Sequence, residues 1–295
     1  MSADEETAPG TAAVPRCYRH PERETHISCT RCGRPICPDC MNEAAVGHQC
    51  PACVAEGNRS VRSAKTVFGG RPTRAPYVTW TLLGLMVAGF VAQTADDAVG
   101  GGQLTGLFAM NPWRIAVHGD WYLLLTAAFL HGGVLHLAFN GFALYAVGRQ
   151  IEEWLGHVRY AALWILSAVG GSVLTLAVDL ATGQAQLSVG ASGAVFGLFG
   201  AALVIGRRLQ LDMRFILGLL AVNLLITFMA PNISWTAHIG GLAVGAVLAA
   251  AFAYLPRNAA GAQGRQKAAV HAAAGIAAAA VLAGIALAAV ASVPV

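Results

Sequence analysis

The chain has 295 residues, of which 56% are hydrophobic and 12% charged, with a net charge of +4 at pH 7, and its mean hydropathy is +0.57. So few charges cannot cover a water-soluble fold, which excludes a disordered chain and a wholly soluble enzyme. The positive balance does not mark a nucleic-acid partner either: ten of the nineteen Lys and Arg precede residue 75 and the others punctuate apolar runs, a pattern of membrane topology.

Residues 1–14 are small and acidic without periodicity and read as a disordered leader; the start holds no apolar stretch of the signal-peptide kind. Residues 15–55 contain all seven cysteines, in the order Cys17-x2-His20, Cys29-x2-Cys32, Cys37-x2-Cys40 and Cys50-x2-Cys53. These eight soft donors fill two tetrahedral zinc sites, and so short a run needs metal in place of a core. A disulfide framework is the competing reading, disfavoured by the odd count and by a cytoplasmic position. His48, two residues before Cys50, is a spare ligand. The segment resembles a B-box-type zinc finger, in which two zinc ions are held in a crossed arrangement. That resemblance implies Cys17, His20, Cys37 and Cys40 around one ion and Cys29, Cys32, Cys50 and Cys53 around the other. Spacing alone also permits neighbouring pairs to combine in order. With every coordination position filled, both ions are structural, and the head reads as a docking module for a cytoplasmic protein partner.

Residues 56–75, with Glu56, Arg59, Arg62, Lys65, Gly69, Gly70, Arg71 and Pro72, form a basic linker ending at a membrane surface. Seven apolar runs follow, near 76–94, 133–149, 158–179, 188–206, 212–230, 234–255 and 268–292, each close to the roughly 20 residues that a bilayer demands. The expected fold is therefore an all-α polytopic membrane protein. Arg149 and Arg159, then Arg207, Arg208 and Arg214, then Arg257, Arg265 and Lys267 occupy alternate connections, whereas the opposite connections hold only Arg114. The positive-inside tally puts the N-terminus in the cytoplasm and the C-terminus outside the cell. The long connection 95–132, with Phe108, Trp113, Trp121 and Tyr122, is expected to form partly embedded interfacial segments.

Polar residues inside the runs are informative, because each costs free energy unless it faces protein or water. His136 and Asn140 share one face of the second span. Ser192 stands in Gly190-Ala191-Ser192-Gly193 on the fourth, and His238 in Ala237-His238-Ile239-Gly240-Gly241 on the sixth. All three spans enter from the outer side, which sets Ser192 and His238 roughly 5–10 Å inside. Gly193, Gly197 and Ala201 on one span and Gly241 and Gly245 on the other are small-residue faces that let two backbones approach.

Taken together, the stretch His131-Gly132-Gly133-Val134-Leu135-His136-Leu137-Ala138-Phe139-Asn140, the Gly190–Gly193 and Ala237–Gly241 motifs, and Glu152-Glu153-Trp154-Leu155-Gly156 resemble the rhomboid family of intramembrane serine proteases. The resemblance covers most of residues 76–256, and residues 257–295 look like the linker and added helix of its six-plus-one form. It implies Ser192 as nucleophile, His238 as general base, and His136, Asn140 and the Ser192 N–H as oxyanion donors. No cofactor serves catalysis, and the substrates would be other transmembrane proteins of the cell membrane. The family commonly has an aromatic-Arg pair in the first loop; here Leu123 takes the arginine slot, and Trp113-Arg114 is the candidate to compensate. Phe215, Phe228, Met229, Pro231 and Trp235 could form a lateral gate and cap, or simply face lipid. The alternative within the family is a catalytically silent scaffold that binds membrane proteins, and intact Ser192 and His238 argue against it. A transporter is disfavoured because no intramembrane acid is paired with a cation near His238.

Overall fold

The computed structural model describes residues 13–60, 66–69, 72–73, 75–184, 186–229, 233–255 and 264–293. The chain divides into two compact units, Met1–Ala64 and Lys65–Val295. Most of the expected leader, the linker positions Arg62, Lys65, Gly70 and Arg71, the cap residue Pro231 and the boundary at 256–257 with Arg257 lie outside the described residues.

The first unit has little regular structure. A two-residue antiparallel ladder joins β1 (Asn42–Glu43) to β2 (His48–Gln49), and isolated bridges tie Arg16 to Glu24 and Ser28 to Pro35. Its buried apolar cluster is Ile36 and six of the cysteines, so thiols occupy the place where a larger domain would put aliphatic side chains. Helix α1 (Pro51–Ser60) begins between Cys50 and Cys53 and runs past residue 55, so the expected linker starts as helix.

Among the described residues of the second unit every regular element is helical. α2 (Tyr77–Ala98) leads into the long connection, which folds as α3 (Gln103–Phe108), α4 (Pro112–His118) and α5 (Leu123–Thr126), the last continuing as a 3-10 turn over Ala127–Phe129. These are the short segments that the aromatic loop implied. α6 (Val134–Ala143) and α7 (Arg149–Leu155) form one rod through a π turn at Leu144–Gly148. That rod meets the segment Leu123–Phe129 at 98°. α8 (His157–Thr182), α9 (Ser192–Leu209), α10 (Arg214–Met229), α11 (Trp235–Tyr254) and α12 (Gly264–Ala291) complete the unit. Five of the described helices are individually long and apolar enough to cross a membrane, and the bent pair adds a sixth. α10, expected as a full span, is apolar but has only 16 residues.

Glycine explains the centre of the bundle. A Cβ on Gly241 would overlap the Gly193 carbonyl, and one on Gly245 would overlap the Gly197 carbonyl. α9 and α11 therefore touch backbone to backbone, the close approach that small residues permit between helices in a bilayer. α8 joins them on the same terms: a Cβ on Gly171 would strike the Ala237 carbonyl, and one on Gly240 the Gly170 carbonyl. Around this seam lies a core of Tyr160, Trp164, Phe196, Phe199, Leu248 and Phe252. α12 packs against α8 through Leu282 and Ala286, beside Val173 and Leu176.

A buried carboxylate fixes the start of the first span. Glu152 on α7 is fully buried and accepts the N–H groups of Val78 and Thr79 at 2.9 Å and the Thr79 hydroxyl at 2.7 Å. It thus satisfies orphan donors at a helix N-terminus, where negative charge is favoured. This is the role in the fold of the Glu-Glu-Trp-Leu-Gly stretch.

Candidate active site and metal centres

Ser192 is the first residue of α9, with Ala191 as its cap. The first helical bond there runs from the Val195 N–H to the Ala191 carbonyl, so the Ser192 N–H has no partner within the helix and points where the helix dipole is positive. Ser192 is half-buried. Just before it, Gly190 has φ +127°, which suits glycine, and its N–H donates to the Ala127 carbonyl at 2.9 Å.

The absent side chain of Gly190 makes room for the second span. A Cβ there would stand 2.7 Å from His136 Cε1, 2.8 Å from its Nε2 and 3.8 Å from Asn140 Nδ2. The structure therefore brings His136 and Asn140 against the loop that enters Ser192. The Gly132 N–H donates to His136 Nδ1 at 3.3 Å, which leaves the proton of a neutral ring on Nε2, the atom facing Gly190. Asn140 is buried, and one amide N–H donates to the His136 carbonyl at 3.1 Å. An amide has a second N–H to offer. Both side chains thus present donors, as an oxyanion site needs.

His238 lies in the first turns of α11, buried to 5% exposure. Ser234 caps that helix by accepting the Ala237 N–H, and it is held in turn by Thr175 and Thr236, whose hydroxyls lie 2.8 Å apart. The imidazole stacks on Phe196, ring centroids 4.0 Å apart and 10° from parallel. Phe196 sits one turn beyond Ser192, so the ring reaches the helix that carries Ser192. Among the described residues no hydrogen bond joins Ser192 to His238; such bonds commonly tighten only when substrate is bound.

Two contacts escaped the sequence reading. Phe196 has a signal in hindsight, an aromatic four positions after the serine on a glycine-lined helix. Thr227 on α10, whose hydroxyl lies 2.7 Å from His238 Nδ1, has none. The gate and cap candidates Phe215, Phe228, Met229 and Trp235 are exposed. Leu123, in the slot of the usual arginine, is fully buried beside Met110 and Ile115. Arg114 supplies the loop's hydrogen bonds instead, donating to Asp120 from Nε at 2.8 Å, to the Gly106 carbonyl at 2.6 Å and to the Tyr122 hydroxyl at 3.0 Å.

In the head, the ligand atoms of Cys17, His20, Cys37 and Cys40 lie within 4.8 Å of one another, as do those of Cys29, Cys32, Cys50 and Cys53. Of the two arrangements that the spacing permits, the clusters are the crossed one that the B-box resemblance implies, and His48 belongs to neither cluster. None of the seven cysteines is in a disulfide. Sulfurs bound tetrahedrally to one zinc stand roughly 3.8 Å apart, and Cys32 Sγ and Cys50 Sγ are separated by 3.8 Å. His20 Nδ1 lies 3.2 Å from Cys37 Sγ and 3.4 Å from Cys40 Sγ. Both donor sets fit a metal ion of zinc's size and softness. Burial pushes the Cys17 and Cys29 thiols up, but backbone N–H groups, including that of Cys50 on Cys29 Sγ, outweigh it and hold each at about 6. Burial and the neighbouring thiolates push Cys40 up to about 11 and Cys53 to about 12, the strain of crowded like charges that a bound cation relieves.

The Rhomboid domain family matches residues 118–255. Rhomboid protease GluP of Bacillus subtilis is 31% identical over 202 residues, 67% of this chain and 38% of that protein. RHOMBOID-like protein 5 of Arabidopsis thaliana is 35% identical over 140 residues, 45% of this chain and 44% of that protein. The match thus spans less than half the length of these two relatives. YdcA of Bacillus subtilis, also named for rhomboid, is 34% identical over 139 residues, 44% of this chain and 67% of its own. A match that begins in the first loop and ends with α11 takes in every helix that meets at the glycine seam, and the chain belongs to the rhomboid family.

Proposed function

We propose that the protein is an intramembrane serine endopeptidase that hydrolyses peptide bonds in or beside transmembrane segments of other membrane proteins. The observation that carries this reading is the convergence on Ser192: His136 and Asn140 meet its entry loop at Gly190, and His238 stacks on Phe196 in its helix. Ser192 Oγ attacks the scissile carbonyl and passes its proton to His238 as the Oγ–C bond forms. The oxyanion is received by His136, Asn140 and the Ser192 N–H. As the C–N bond breaks, His238 returns the proton to the leaving amine. Water then attacks the acyl group, again through His238, and frees the serine and a carboxylic acid.

Replacing Ser192 by Ala tests the reading. Cleavage of a membrane-anchored reporter is expected to vanish while the protein still inserts, and labelling by a serine-reactive fluorophosphonate should vanish with it. Persistent cleavage would remove Ser192 from the mechanism.

In the same reading the head holds two structural zinc ions, one on Cys17, His20, Cys37 and Cys40 and one on Cys29, Cys32, Cys50 and Cys53. When bound they supply folding energy, not chemistry. The chain has its N-terminus in the cytoplasm, where the head meets a protein partner, and its C-terminus outside the cell. Elemental analysis of purified protein is expected to give two zinc atoms per chain, matching the two clusters, and a Cys37→Ser, Cys53→Ser variant should give none. A metal-free protein with a folded head would overturn this.

A further inference from the structure

The bond between Thr227 and His238 belongs to none of the motifs that mark the site. We propose that Thr227 is the positioning residue of His238: it fixes which ring nitrogen carries the proton and leaves the other free to act as base. The inference rests on the protease reading.

Thr227 Oγ1 lies 2.7 Å from the Asn223 carbonyl oxygen and 2.7 Å from His238 Nδ1. A hydroxyl has a single hydrogen, and a carbonyl oxygen can only accept. The hydrogen therefore goes to Asn223, since otherwise two lone-pair oxygens would face each other with nothing between them. The remaining lone pairs of Oγ1 accept from His238, so Nδ1 carries the ring proton and Nε2 is bare. The opposite assignment would put the proton on Nε2 and leave no atom there to take one from a serine.

Among the described residues no other side chain is hydrogen-bonded to this ring; its stacked neighbour, Phe196, is apolar. Thr227 fills the place that a carboxylate takes in serine–histidine–aspartate triads, where the third member sets tautomer and orientation. A neutral hydroxyl can do this only if its own hydrogen is engaged elsewhere, and the carbonyl one helical turn back engages it. His136 is held the other way, with Nδ1 accepting from Gly132. The two histidines of one site thus carry their protons on opposite nitrogens, one as donor and one as base. Burial sets Thr227 apart as well: Leu220 and Thr227 are the only buried residues of α10.

The test uses the purified full chain in lipid nanodiscs with a transmembrane reporter substrate. Thr227→Val keeps the branched shape and removes the hydroxyl. Its kcat is expected to fall roughly a hundredfold, the lower end of what a positioned proton transfer contributes, with KM unchanged. Thr227→Ser should restore most of the rate. Histidine-selective 15N NMR, with His238→Gln to identify the signal, should report Nδ1-protonated His238 in the wild type and the Ser variant, and a mixture of tautomers in the Val variant. An Nε2-protonated His238 in the wild type would overturn the proposal, even if the Val variant failed to fold. So would wild-type kcat in Thr227→Val while Ser192→Ala is inactive. Undiminished cleavage by Ser192→Ala would instead sink the protease reading, and the spectrum would still judge Thr227.

Discussion

α9 and α10 both reach the same imidazole, and they are held in opposite ways. Twelve of the eighteen residues of α9 are buried, among them Phe196 beneath the ring, whereas α10 buries two of its sixteen. The proposed nucleophile, Ser192, and the stacking platform, Phe196, thus sit on a deeply packed helix. The hydroxyl bonded to His238 sits on a helix that buries only Leu220 beside it and leans on the core with the half-buried Ile216, Leu219 and Leu224. A rigid helix can hold reacting atoms to a fraction of an ångström; a lightly packed one makes the second partner adjustable.

The strongest way to break this contrast is to push α9 away from α11. Gly241→Val drives a branched Cβ into the Gly193 carbonyl and is expected to abolish cleavage and to destabilise the protein by about 3 kcal/mol or more. Thermal unfolding in detergent reads this directly, and unchanged melting would mean that the two backbones do not touch. Next in size is Phe196→Ala, which removes a buried aromatic and the floor under His238. It should cost about 3 kcal/mol and slow the reporter reaction about tenfold, whereas Phe196→Tyr should keep most of both. The smallest effect is expected on the outer face of α10. Phe228 is exposed, so Phe228→Ala should leave stability within about 0.5 kcal/mol. A larger loss would show that the outer face of α10, and not only Thr227, Leu220 and the half-buried Ile216, Leu219 and Leu224, braces the helix.

The catalytic candidates were legible because glycine, serine and histidine are conspicuous inside apolar runs, and because the small-residue faces of spans four and six implied the backbone contact found at Gly193 and Gly241. The crossed ligand sets of the head were legible only through resemblance, since the spacing of the pairs fits either arrangement. Thr227 could not be read in advance. A threonine in a lipid-facing helix ordinarily bonds its own backbone one turn back, as Thr227 does to Asn223, and only the fold reveals the second bond. The sharp bend before α6 was hidden for a similar reason: Leu123–Phe129 is apolar and short, so composition cannot tell a segment that dips from one that crosses. Leu123 is buried, and the arginine hydrogen bonds of this loop come from Arg114, nine positions earlier, which spacing alone could only offer as a candidate.

Glu152 lies 74 residues downstream of the Val78 N–H that it receives. A ribosome finishes the first span well before it makes the carboxylate, so that span enters the bilayer with the polar groups at its head unclaimed. Its seating is then provisional, completed only when a later helix arrives to claim them, and a lesion at Glu152 would be felt first in biogenesis.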